Sequence, residues 1–484
     1  MWSQHFNLQK ILLNASVLLF VIGLCLFAFT GSALFIAPAF ALLYLLLLIF
    51  DFKAAYWILL ILVPLSIHVE FVDNSFSLSA PSEPVMWLFY ILAGLMLITD
   101  SKLLPKWFLQ NAITVIILLQ FIWLIVAVCY SEVVALSIKY LIAKSWYLVC
   151  FFLIPIWLIK EKKDFRKLFL CLLIPLVLYI FIILIRHSFY GFQFYYIDAA
   201  VGNLFYKHVD YASVLSMFVP FIFAAYFIHR KTNKKYRNYF LLLSLLFLLA
   251  IGFSYTRAAM GGIVFAIGVA LAIRWRLVNW VMPGFYAVVL ALLLFFTTDN
   301  KFLKYHPHFS ETYMHHEFGD HLKATLEGKD MSSVERLYRW IAAVRMGIDR
   351  PLTGFGPHSF YYYYKPYTLS AYRTYVSENY ERSTTHNYFL YMLVEQGVPA
   401  MLLYALLVIV VLAKTQKVYH RLQDPFYKWI CLAIAMSFSI CFVNNLFSEL
   451  IETDKVGPLF YLSLAALVII DRKSRSQAYN GAIE

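Results

Sequence analysis

The side chains in this sequence best suited to chemistry are two arginines close together and a histidine further along. Arg336 and Arg339 lie in the run SSVERLYRWIAAVRMGIDRPLTGFG, and His386 opens the run HNYFLYMLVEQG. At helical spacing Arg336, Arg339, Trp340 and Ala343 share one face, whereas Arg345 points the opposite way. Planar guanidinium forks suit phosphate oxygens, and an imidazole titrates near neutrality, at about pH 6.5 when unperturbed, so it can accept a proton from a hydroxyl. Arg257, between two apolar runs, and Lys207 with His208 in the sequence KHVD, just before another, extend the same set. Arginines at headgroup depth beside a neutral imidazole point to a lipid-linked phosphate or pyrophosphate. Each group also has a plainer reading: Arg257 as a snorkelling side chain, Arg336 and Arg339 as a solvated face paired with Glu335, and Lys207 with His208 as an interfacial anchor.

Three elements must position these groups. Ser332 and Glu335 have capping-box spacing, and Pro351 ends the helix that follows. Ser383 or Thr384 is expected to cap a second helix that enters the apolar run 388–411, placing His386 in its first turn, where the positive helix end favours neutral imidazole. Glu395, nine residues beyond His386 in the numbering, falls on the other face and reads as a structural partner inside the bundle. Gly354 and Gly356 mark a turn.

The surrounding chain dictates where these elements sit. Of 484 residues, 62% are hydrophobic and 14% charged; with a mean hydropathy of +0.73, the composition excludes a water-soluble domain and indicates an all-α polytopic membrane protein. Apolar runs centre on 11–30, 33–50, 54–69, 84–99, 112–129, 145–160, 168–186, 211–229, 239–254, 258–273, 281–297, 387–413, 428–446 and 457–471, which predicts about 12–14 transmembrane helices. Basic clusters at 102–106, 160–167, 229–237, 274–276, 414–421 and 472–475 alternate with uncharged or acidic loops, so the positive-inside rule places them and both termini in the cytoplasm. Segment 239–273 must then cross twice, with Arg257 at the outer surface. The same rule puts 187–210 and 298–385 outside.

The expected division is an N-terminal bundle over 1–297, one large periplasmic loop domain over 298–385 lying as a lid, and C-terminal spans over 386–484. Segment 131–146 reads as an amphipathic helix in the outer interface. The first span lacks a convincing cleavage site and is expected to stay. All six cysteines lie in or beside apolar runs and fit neither disulfides nor a metal site. The histidine-rich piece from His306 to His321 matches no standard metal spacing, so neither metal nor cofactor is expected. Membrane topology accounts for the net charge of +13 without nucleic acid.

The combination R-x-x-x-W from Arg336 to Trp340, P-L-x-G-x-G from Pro351 to Gly356, and H-N-x-x-L-x-x-L-x-E-x-G from His386 to Gly397 resembles the core of the O-antigen ligase and O-antigen polymerase superfamily. Those proteins are bacterial inner-membrane, multi-pass glycosyltransferases whose active site faces the periplasm. The resemblance implies that His386, Arg336 and Arg257 form the catalytic set. Arg339, Lys207, His208 and Tyr388 would serve substrate binding, with Tyr361 to Tyr364 as further faces for sugar stacking. It also implies a glycan donor on undecaprenyl diphosphate and a metal-independent, inverting transfer to a hydroxyl of lipid A-core, a growing glycan or a protein.

Ligase, polymerase and protein O-oligosaccharyltransferase remain open within that class. A lipid-linked glycan flippase, from a different class, would need charges along a path through the spans. Here most charges sit at span ends. A membrane scaffold would have no use for outward arginines. The chain shows no internal repeat of the kind that builds inverted transporter halves.

Overall fold

A computed structural model describes residues 2–31, 33–71, 76–299, 301, 331–374, 377–379 and 383–480. The helices used below are α1 (Trp2–Thr30), α2 (Ala33–Phe50), α3 (Phe52–Leu65), α4 (Ser82–Thr99), α5 (Ala112–Cys129), α6 (Val134–Leu158) and α7 (Lys162–Phe189). They continue as α8 (His208–His229), α9 (Lys234–Phe253), α10 (Arg257–Arg274), α11 (Val278–Thr297), α12 (Met331–Asp349), α13 (Tyr388–Arg421), α14 (Pro425–Asn445) and α15 (Val456–Asn480). Among the described residues eleven helices are long and apolar enough to cross a bilayer, and two more apolar helices, Phe35–Phe50 and Phe52–Leu65, are shorter. The protein is an all-α polytopic membrane protein, with one β-hairpin among the described residues.

Two expectations drawn from apolar runs are corrected. The run 54–69 is helical only to Leu65, beyond which β1 (Ile67–Phe71) pairs antiparallel with β2 (Phe76–Ala80) in a register that sets Val69 opposite Leu78. Segment 131–146 is not a separate interfacial helix, because α6 runs unbroken from Val134 to Leu158 through a π-helical stretch at Val149–Leu153. Lys144 on this helix is paired with Glu452 at 2.7 Å, and each side chain is only 14% exposed.

The chain forms two compact units, one comprising 1–101 with 157–178, the other 102–156 with 179–484. In the second, two thirds of the residues along α8 and α14 are buried and α15 is buried throughout 456–471, so these three helices form its centre. Exposed leucines at 241, 242, 245 and 249 on α9 present the apolar outer face that a bilayer requires. The short connection 254–256 turns α9 into α10, as two crossings of 239–273 demand. Successive crossings bring the starts of α8, α10, α13 and α15 and the ends of α9, α11 and α14 to one end of this unit. The opposite end is tied by Asp471, which accepts from Asn111 and pairs with Lys414, Arg421 and Arg475.

Candidate functional site

The site is built on a break in α13. Gly397 adopts φ 78 and ψ 179, a conformation reserved for glycine, and Pro399 carries no N–H. An unbroken helix would supply the carbonyls of residues 394, 395 and 396 with donors four residues on. Here Phe355 N, Gly356 N and the Trp123 indole N–H donate to them instead, at 2.8, 3.1 and 2.8 Å, while Val398 N donates to Pro351 O at 2.8 Å. A Cβ on Gly397 would fall on Leu352 O, one on Gly354 (φ +65) on Val394 O, and one on Gly356 (φ +103) on the Ser131 hydroxyl. The P-L-x-G-x-G and E-x-G motifs are therefore two halves of one backbone dock. Glu395 serves it as the structural partner expected: its buried carboxylate accepts from His358 N at 2.7 Å.

The dock holds α12 in place. Tyr338, Ala342 and Met346 on α12 share a core with Phe355, Phe360, Tyr364, Tyr372 and Val394. The tyrosine run is thus largely spent on packing, with Tyr364 buried and stacked on Phe360 at 4.9 Å; only Tyr362 is strongly exposed, at 53%. Glu335 does not close a capping box, since Ser332 lies inside α12. Its buried carboxylate accepts from the hydroxyls of Thr374 and Ser377 and pairs with Arg339 at 3.4 Å. Arg339 is 6% exposed. Arg336 donates to the Ser332 hydroxyl at 2.8 Å and to Phe447 O at 3.4 Å, with the Phe447 ring 6.0 Å away. Arg345 points elsewhere, as expected, and donates to Tyr367 O.

His386 lies before the helix rather than in its first turn. The N-cap is Asn387, whose side chain accepts from Phe389 N and Leu390 N and donates to Leu446 O at 3.0 Å, tying the start of α13 to the end of α14. With the cap at Asn387 rather than at Ser383 or Thr384, His386 precedes the helix in the left-handed region, φ 52, at the mouth of the bundle. Burial, then the charges of Arg339, Arg336 and Lys207, pushes its imidazole down to about 3, so the ring is neutral. Three cations from two elements, α12 and the start of α8, therefore act on one neutral histidine.

The other expected residues fall as follows. Lys207 caps α8 and belongs to the cationic set. His208 is drawn off by Asp198, which accepts from its Nδ1 at 2.7 Å and its backbone N at 2.8 Å. Arg257 opens α10 at the same end of the unit but is not among the charges that act on His386. Tyr388 is 5% exposed, gives its hydroxyl to Glu452 at 2.7 Å and packs on Tyr391 and Tyr404, so its ring is not an open stacking face.

Sequence reasoning missed Glu449. Thr384 donates its hydroxyl to one carboxylate oxygen, and the other has no hydrogen-bond partner among the described residues. Burial raises this carboxyl above the usual range against the lowering effects of Thr384, Arg339, the His386 backbone N–H and Arg336. Its signal was the acidic run SELIETD, which sets three carboxylates between α14 and α15. Among the described residues no three His, Cys, Asp or Glu side chains gather as a metal would require, and the piece 306–321 lies outside the described residues.

Fold and site together define a multi-pass membrane protein in which three cations act on a neutral histidine at one end of the bundle. Residues 242–405 match the family model described as O-antigen ligase, which bears out the resemblance to the O-antigen ligase and polymerase superfamily and, with it, glycosyl transfer of the ligase or polymerase type. No curated protein matches the chain.

Proposed function

We propose that this protein transfers a glycan from undecaprenyl diphosphate to an acceptor hydroxyl at the periplasmic face of the inner membrane. The observation that carries this reading is the convergence on His386, at the mouth of the bundle, of the charges of Arg336 and Arg339 from α12 and Lys207 from the start of α8. The acceptor oxygen attacks the sugar C1 from the side opposite the diphosphate. As the new C1–O bond forms, the old one breaks, and its electron pair leaves with the lipid diphosphate. Arg336 and Arg339, with Lys207 and the further arginine Arg257 at the same end of the bundle, stabilise that growing charge. His386 takes the hydroxyl proton. Attack from the opposite side inverts the anomeric centre.

Burial, and after it the charges of Arg339, Arg336 and Lys207, keep His386 neutral and also weaken it as a base. A bound diphosphate offsets those charges, so donor binding raises the imidazole's pKa and readies it for the acceptor. Donor first, acceptor second is the order this favours. Arginines serve here where other transferases use a divalent ion, so transfer on purified lipid-linked donor is expected to survive EDTA. Loss on chelation with recovery on adding magnesium would overturn that part.

The domain division of 1–297, 298–385 and 386–484 belongs to this reading, with 298–385 as the periplasmic lid. A reporter fused at residue 330 that reads cytoplasmic would overturn it. Lipid A-core is the acceptor we favour. The surface glycan of a deletion strain tests this: long chains stranded on undecaprenyl diphosphate indicate a ligase or protein transferase, whereas single repeats capping the core indicate a polymerase.

A further inference from the structure

The first compact unit carries a cavity of about 360 Å³ that the transfer reaction does not use. It opens between the starts of α3 and α7 and is lined by Asp51, Lys53, Trp57, Lys163, Asp164 and Lys167. Both carboxylates are already committed. Asp51 caps α3 by accepting from Ala54 N at 2.9 Å, and Asp164 accepts from Lys160 N, Glu161 N and the Lys53 ammonium at 2.9 to 3.0 Å. What the lining still offers is donors. Lys163 and Lys167 stand one turn apart on α7; Lys163 is paired with Glu161 at 2.9 Å at the exposed rim, and Lys167 lies 5.1 Å over the Trp57 ring.

Trp57 is 3% exposed, yet its indole N–H has no hydrogen-bond partner among the described residues. An indole nitrogen can only donate, and a buried donor left unmatched is costly. The missing component is an acceptor oxygen, and Lys167, whose ammonium faces the Trp57 ring rather than a carboxylate, asks for an anionic one.

We propose that this cavity binds the phosphate of an anionic phospholipid headgroup. Continuity along α7 argues for a lipid over free phosphate. Lys163, Lys167, Leu170, Ile174 and Leu178 follow one another at helical spacing, and the three apolar residues are 47%, 65% and 51% exposed. A headgroup held by the lysines has its acyl chains directed along an apolar stripe. The volume falls in the about 300–1,000 Å³ range of small-ligand sites, more room than an inorganic ion uses. Basic clusters at the ends of membrane spans attract anionic lipids on general electrostatic grounds.

The test uses the full chain, stripped of lipid in neutral detergent and returned to phosphatidylglycerol or phosphatidylcholine, with retained lipid counted by native mass spectrometry. Phosphatidylglycerol should be held at least about tenfold more tightly, the worth of one charge-assisted contact. Lys163→Ala with Lys167→Ala, both at exposed positions, should abolish that preference. Trp57→Phe, which keeps the ring and removes the N–H, should weaken it. Lys234→Ala with Lys235→Ala, in the basic segment before α9, should leave it intact. Equal retention of the two lipids, or a preference that survives the Lys163 and Lys167 changes, would overturn the proposal. Displacement of the lipid by inorganic phosphate at comparable concentration would assign the cavity to the free ion and overturn it equally.

Discussion

Replacing Gly397 with alanine tests whether the broken helix positions the arginines. The substitution forces a Cβ onto Leu352 O at a φ of 78 and ψ of 179, a region that costs a non-glycine residue about 1–3 kcal/mol. Relief requires residues 351–356 to leave the kink, giving up the bonds Val398 N to Pro351 O, Phe355 N to Val394 O and Gly356 N to Glu395 O. At about 1 kcal/mol each these add about 3 kcal/mol. The docked state should therefore weaken by about 4–6 kcal/mol, roughly a thousandfold to ten-thousandfold in its equilibrium. Amide hydrogen exchange over the peptide containing Phe355 and Gly356 should accelerate accordingly, while α8 and α14, whose backbone hydrogen bonds the dock does not share, keep their protection. Transfer should fall with it, because α12 carries Arg336 and Arg339. Gly268→Ala is the control, since a Cβ there meets nothing within 4 Å. Unchanged exchange at 355–356 in Gly397→Ala would refute the claim that these motifs form a dock. Faster exchange with wild-type transfer would refute the claim that the dock positions the arginines.

Arg336→Ala should reduce transfer by about a hundredfold or more, roughly 3 kcal/mol of transition-state stabilisation, in protein that is still inserted; Arg336→Lys should rescue poorly, and Arg345→Ala, whose side chain reaches Tyr367 O, should be mild. Steady-state rates across pH should show kcat falling, as pH drops, at a higher pH than kcat/KM does, because His386 is held down to about 3 in the free enzyme and released upward by the bound diphosphate; coincident profiles would show that donor binding leaves the imidazole unchanged. The same depressed pKa makes stability fall with pH between the unfolded value of about 6.5 and 3, where the unfolded chain binds a proton that the folded one refuses, and His386→Gln should flatten a urea-midpoint profile in that window. Glu335→Ala leaves Arg339 buried without its carboxylate and removes the acceptor for Thr374 and Ser377, so the region 331–379 should lose about 3–5 kcal/mol and become sensitive to limited proteolysis before the spans do.

The sequence by itself determined the membrane class, nearly all the helical runs and the turn from α9 to α10, because hydrophobicity and positive charge act on each segment independently of its neighbours in space. It also separated Arg336 and Arg339 from Arg345, since helical periodicity alone decides which residues share a face. The capping assignments were less secure. Ser332, Ser383 and Thr384 all have the side chain of a cap, yet α12 already includes Ser332 and the start of α13 falls to Asn387, which reaches Leu446 O from a strand of chain that no local pattern reveals.

Tertiary structure alone decided how the motifs act. Gly354, Gly356 and Gly397 look like ordinary turn signals until the carbonyls exposed by the break in α13 are seen to take their donors from residues 355 and 356 and from Trp123. Tyr364 and Tyr388 have the chemistry of sugar platforms, but packing against Phe360 and donation to Glu452 commit them to the interior. His386 and Glu449 come together only because the starts of α13 and α15 and the end of α14 meet at one end of the bundle. A burial-dependent pKa and a carboxylate oxygen without a hydrogen-bond partner among the described residues are properties of that meeting place, and no stretch of sequence contains it.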